Sequence, residues 1–141
     1  MTGAELAAAE QDLLDRAGDV LIPAAAPMPS VSQSDPDRRW LARACRARPD
    51  LVAPVRALLK RFPQLDSLEA IAQAQQQDEA GVTALLTITA GRYYMNQAVR
   101  GLLGYPGQTG RGPGLPVYGW ERAADLVERV ADRGQVYREA L

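Results

Sequence analysis

Between Val82 and Met95 the chain sets apolar residues on nearly every side of a helix: Val82, Leu85, Leu86, Ile88, Ala90, Tyr93, Tyr94 and Met95. A helix that is apolar all round has no face to give to water, so neighbours must wrap it. This stretch therefore predicts the central, most buried helix of a bundle. Strand-period alternation is absent everywhere and no internal repeat is visible. A chain of 141 residues fits one domain, which at that length buries roughly two-thirds of the surface an unfolded chain exposes. The expectation is an all-α, compact bundle of about six to seven helices, one helical domain over residues 1–141, with a long Gly/Pro-rich loop before the last helix.

The segments around this helix read as follows. Thr2 and Glu5 have capping-box spacing, and Leu6, Leu13, Leu14, Ala17 and Leu21 recur on one face, predicting a helix to about Leu21. Asp12, Asp15 and Asp19 lie on its other side as an expected solvated face. Residues 22–33, with Pro23, Pro27 and Pro29, predict a coil crossing the surface. Asp35-Pro36 predicts the next helix start, with Trp40, Leu41, Ala44 and Cys45 inward and Arg39, Arg43 and Arg46 along an exposed face. That arginine face suits an acidic partner or a phosphate backbone, or is simply solvated. Residues 50–61 predict a third helix with Pro54 either kinking it or lying in its first turn. Asp66 opens a short one with Leu68, Ile71 and Ala72 inward, running out in the polar run 73–77, and Asp78 caps the central helix. Asn96 caps a two-turn helix through Val99, Leu102 and Leu103, with Gly104 at its left-handed end, and a last helix is expected over 119–133.

Histidine is absent and Cys45 is the one cysteine, which removes imidazole bases, Cys/His dyads, Cys or His metal cages and an internal disulfide from these residues. Cys45 reads as a small buried hydrophobe. The net charge of -1 and pI near 5.5 argue against nucleic-acid binding driven by phosphate neutralisation. No window approaches the ~18 apolar residues of a membrane span, and no secretory or twin-arginine signal is read at the N-terminus, so a cytoplasmic location without membrane insertion is expected. Tyr93 and Tyr94 have no nearby group in sequence to lower a phenol pKa, which favours packing over acid/base chemistry.

The loop from Gly104 to Pro116 lacks both the Gly-Lys-Ser/Thr of a Walker loop and the strand that precedes a dinucleotide fingerprint. It holds Pro106, Pro113 and Pro116, and six of the twelve glycines lie between Gly104 and Gly119. Prolines restrict such a segment in advance, so it either threads a partner's groove at low entropic cost or is a plain surface connector. Tyr105 is the expected anchor and Arg111 the expected carboxylate partner at the tip.

The run Gly91-Arg-Tyr-Tyr-Met-Asn-Gln-Ala-Val-Arg-Gly-Leu-Leu-Gly-Tyr-Pro-Gly-Gln108 resembles the signature of the gluconate 2-dehydrogenase subunit 3 family, and Leu14 to Pro29, with its Leu-Ile-Pro, fits the same family's N-terminal half. What the resemblance implies is a non-catalytic small accessory (gamma) subunit of a hetero-oligomeric oxidoreductase complex acting on CH–OH groups. The large partner is a glucose-methanol-choline-type flavoprotein that holds FAD and oxidises a sugar or alcohol, and the small subunit assists its folding, flavin loading or stability. No cofactor is expected in this chain. Many relatives carry a twin-arginine signal, which this sequence lacks. The expected partner-binding residues are Tyr93, Tyr94, Met95, Gly104, Tyr105, Pro106, Gly107, Gln108, Arg111 and Leu115. Two alternatives stand beside this reading: a free-standing helical binding or regulatory module, and an enzyme working with carboxylates and tyrosines.

Overall fold

The computed structural model describes residues 6–105 together with 107, 128, 129, 131, 132 and 134. Seven α-helices succeed one another among them: α1 (Ala8–Leu21), α2 (Val31–Ser34), α3 (Arg39–Ala47), α4 (Val52–Arg61), α5 (Leu68–Gln77), α6 (Glu79–Met95) and α7 (Gln97–Leu102). A 3-10 turn, Pro49–Leu51, leads into α4, and there is no β-strand among the described residues. The all-α bundle is thus as expected. The chain divides into two compact units, Met1–Gly107 and Gln108–Leu141. In the second, Glu128, Arg129 and Ala131 are helical and Gly134 follows at φ 66°; the rest of the expected last helix lies outside the described residues, as do Thr2 and Glu5.

Helix α6 packs against each of the other six helices, as expected of a central helix, but it is not wrapped all round: Thr83, Leu86, Thr87 and Tyr94 are exposed. Val82, Leu85 and Ile88 are buried among Leu14, Val55, Leu58, Leu59 and Ile71 in the main core. Its start is set by Asp78, whose Oδ1 accepts from the Gly81 N–H at 2.9 Å. The backbone N–H of the same residue closes α5 on Ala74 O at 2.8 Å, so one aspartate ends one helix and begins the next.

Several boundaries differ from expectation for identifiable reasons. Helix α5 is capped by Ser67, whose Oγ accepts from Ala70 N at 3.1 Å, one residue later than Asp66. Its inner positions are Ile71 and Ala74, while Leu68 is 64% exposed and Ala72 also faces out. The helix continues through the glutamines, which are good helix formers, and ends with them at Gln77, as expected. Pro54 sits at the third position of α4, where its missing N–H has no intrahelical partner to lose. Residues 22–30 are the expected coil, but α2 follows at once with a reciprocal cap: Gln33 N–H donates to Ser30 Oγ at 3.4 Å and Ser30 N–H to Gln33 Oε1 at 3.1 Å. Helix α3 begins at Arg39, later than Asp35-Pro36 predicts. A turn closed by Arg38 N–H on Asp35 O at 3.1 Å intervenes, and Arg38 takes the left-handed conformation at φ 56°.

Helix α7 is capped as expected. Asn96 Oδ1 accepts from Ala98 N at 2.9 Å. Gly104, at φ 68°, lets the Tyr105 N–H reach Arg100 O at 2.9 Å while its own N–H reaches Gly101 O at 3.0 Å. These crossed bonds form the left-handed helix end that favours glycine. Of the expected inner residues only Val99 is buried, and Leu102 and Leu103 face out. The helix ends at Leu102, and Leu103 is already its C-cap. No helix of the described residues is long and apolar enough to cross a membrane.

Candidate functional site

The C-terminal half of α6 changes character at Thr89 and Arg92. Both are buried, and the Arg92 side chain has no solvent exposure. A guanidinium can be taken out of water only with its charge matched and its donors used. Arg92 Nε donates to Asp35 Oδ2 at 2.6 Å, Nη2 to Asp35 O at 3.1 Å, and Nη1 pairs with Asp15 of α1. Asp35 is itself buried and also accepts from the Trp40 and Leu41 N–H groups at 3.1 and 2.9 Å. It therefore caps α3 from a distance while Arg92 holds it in the interior, which explains the late start of α3.

Arg38 extends the network outward. It reaches Asp15 at 2.8 Å and Asp12 at 2.5 Å, and the Asp12 hydrogen bond is the main cause that raises its pKa. Asp19 accepts from both the N–H and the hydroxyl of Ser32, at 2.8 and 2.6 Å. The row therefore divides: Asp12 is exposed, as expected, although it pairs with Arg38, whereas Asp15 and Asp19 are half-buried and hold the 32–38 segment against α1. On the other flank, Tyr93 Oη donates to Pro29 O at 2.7 Å and Asn96 Nδ2 to Ser34 O at 2.6 Å. The network cross-links three separate stretches of chain and engages its carboxylates in doing so. That arrangement positions structure. Among the described residues no group of three or more His, Cys, Asp or Glu is gathered as a metal cage.

Cys45 is buried, as expected, and burial pushes its thiol above the usual range despite the opposing Arg92 charge. Glu10 shows the reverse balance. Burial raises it, but the Ala7 N–H and Arg56 together outweigh that and hold it below the ordinary carboxylate value.

The expected partner-binding residues divide sharply. Tyr93 is buried, with its ring in a small cluster with Val31 and Val99, and its phenol is raised by burial and then by Tyr94. It is not available at the surface as expected, since its hydroxyl is taken by Pro29. Tyr94 is exposed and rests edge-on against Tyr93, centroids 5.4 Å apart and planes at 85°. Met95 is half-buried and lines a cleft of about 100 Å³ with Ala44, Ala47, Arg48, Thr87, Ile88 and Gly91. Gly104 and Tyr105 form the helix end described above. Gly107 has φ 85°, a conformation that favours glycine, and a Cβ there would come within 3.3 Å of the Arg100 Nη1, the movable tip of a long side chain. Pro106, Gln108, Arg111 and Leu115 lie outside the described residues.

What sequence reasoning missed are the partners of Tyr94 and Tyr105. Tyr94, Leu102, Leu103 and Tyr105 are each between 49% and 56% exposed. They make up four of the six large apolar side chains left exposed among the described residues, Leu68 and Leu86 being the others. All four fall within twelve residues of chain, from the last turn of α6 through α7 to the glycine end. Four exposed apolar side chains so close together in the chain are a candidate contact surface. No family model, curated protein or solved structure matches this chain.

Proposed function

We propose that this chain is a non-catalytic accessory subunit that docks, through the α6–α7 corner, onto a large FAD-dependent oxidoreductase of the glucose-methanol-choline type, stabilising it and assisting its folding or flavin loading. The observation that carries the reading is the exposed set Tyr94, Leu102, Leu103 and Tyr105, built on a capped helix and a glycine-fixed end. The same stretch of chain carries the resemblance to gluconate 2-dehydrogenase subunit 3 proteins. A corner fixed by the Asn96 cap and the Gly104 helix end would lose less freedom on binding than an open loop. In this reading FAD and the oxidation of a sugar or alcohol belong to the partner.

The test is co-purification of the chain expressed from its native gene neighbourhood, followed by flavin quantitation of whatever large subunit accompanies it. Tyr94→Ala and Tyr105→Ala are expected to weaken assembly about thirtyfold each, the loss of one central aromatic anchor worth ~2 kcal/mol, with lower flavin occupancy. Gln76→Ala, on the exposed side of α5, serves as control. A flavoprotein that assembles and loads equally well with all three variants removes the corner as the docking site. If no flavoprotein accompanies the chain, the reading gives way to a free-standing helical binding module.

A further inference from the structure

We infer that the outer face of α3 is a second docking surface, fitted to an acidic protein segment that carries one apolar anchor residue. Arg39, Arg43 and Arg46 are all exposed and recur at i, i+4 and i+7, which aligns them in one stripe about 10 Å long. None of the three has an ion-pair partner among the described residues, whereas Arg38, Arg48, Arg56 and Arg92 each meet a carboxylate. Two of them are already ordered: the Arg39 and Arg43 guanidinium carbons lie 4.8 and 5.7 Å from the Trp40 ring centroid. Stacking on an aromatic face restricts an arginine before any ligand arrives, so less freedom is lost when it pairs. The third, Arg46, stands at a cleft of about 270 Å³ lined by Leu6, Leu41, Ala42 and Cys45 together with the polar Gln11 and Arg38. Cations beside a partly apolar cleft suit a leucine or phenylalanine flanked by carboxylates.

The same stripe is poorly matched to nucleic acid. A duplex presents a charge about every 1.7 Å along its axis, so three arginines answer few of them, and a phosphate backbone has no apolar group to place against Leu6, Leu41 and Ala42. Carboxylates repeated on a helix at the same spacing meet the three guanidiniums one to one. This surface does not depend on the flavoprotein assignment, because it uses a different helix and specifies only the chemistry of the segment.

The experiment titrates the full chain with a short fluorescent helical peptide bearing three Glu at i, i+4 and i+7 followed by one Leu. A Glu-to-Gln peptide, a Leu-to-Ala peptide and a DNA duplex are run beside it at low ionic strength. The Glu peptide is expected to bind at least about tenfold tighter than the Gln peptide, with the preference shrinking as salt is raised and weakened by loss of the leucine. Arg39→Gln/Arg43→Gln/Arg46→Gln should abolish the preference, and Tyr94→Ala should leave it intact, which separates this surface from the α6–α7 corner. Equal binding of the Glu and Gln peptides overturns the proposal without reference to any protein variant. Retention of the preference by the triple variant, or tighter binding of the duplex than of the Glu peptide, also overturns it.

Discussion

The two halves of α6 are buried to the same depth by opposite means. From Val82 to Ile88 the inward positions are aliphatic and meet aliphatic neighbours from α1, α4 and α5. From Thr89 to Tyr93 the inward positions are a hydroxyl, a guanidinium and a phenol, and Arg92 meets Asp15 and Asp35 instead of leucines. The first half tolerates any good apolar packing, since dispersion and burial have no direction. The second is intolerant, because a buried charge is stable only while its partners keep their places. The aliphatic half sets compactness, and the polar half decides how the 29–38 segment lies between α1 and α6.

This contrast can be broken by single substitutions read in urea unfolding. Arg92→Ala is expected to have the largest effect, a loss of about 4 kcal/mol, because it strands the buried carboxylate of Asp35 and removes a partner of Asp15. A loss below about 1 kcal/mol, the scale of an exposed ion pair, would mean that the polar layer is dispensable and the two halves are alike after all. Leu85→Ala should cost about 3 kcal/mol through lost burial and the cavity it leaves, with no change in the environment of Trp40. Arg92→Ala, by loosening Asp35 from the start of α3, should alter the fluorescence of Trp40. Gly91→Ala, within the polar half but clear of its buried groups, should act in the other direction. Nothing stands within 4 Å of a Cβ there, so relief of glycine's helix penalty should stabilise the fold by about 0.5–1 kcal/mol. A destabilised Gly91→Ala would show that α6 bends or is approached closely at that point.

The halves also differ in how far they could be read from the sequence. The aliphatic one is carried by a local period, and so are the caps at Asp78 and Asn96, the left-handed Gly104 and the burial of Cys45. Each needs only residues within a few positions of one another. The Arg92 pairings join residues 57 and 77 positions apart. No local rule marks an arginine between Gly91 and Tyr93 as buried, or shows that an aspartate row spends its oxygens on a distant segment. The Ser30–Gln33 cap was within local reach, but the prolines before it favoured coil. At the corner, Tyr94 and Tyr105 were legible as surface aromatics. The outward turn of Leu102 and Leu103 was not, since helical period alone cannot say which side of a short helix has a neighbour. Tyr93 failed for the same reason, as its place depends on the Pro29 carbonyl.

The central position of α6 also bears on the order in which this protein can be made. Helices α1 to α5 all precede α6 in the chain and all pack on it. A ribosome releasing the N-terminus first therefore delivers five helical segments before the surface that unites them. Until residue 95 has emerged, Asp15 and Asp35 have no Arg92 and the leucines of α4 have no α6. At synthesis speeds of roughly 5–20 residues per second, the nascent chain spends seconds as a set of unanchored helices and then condenses around a single late arrival.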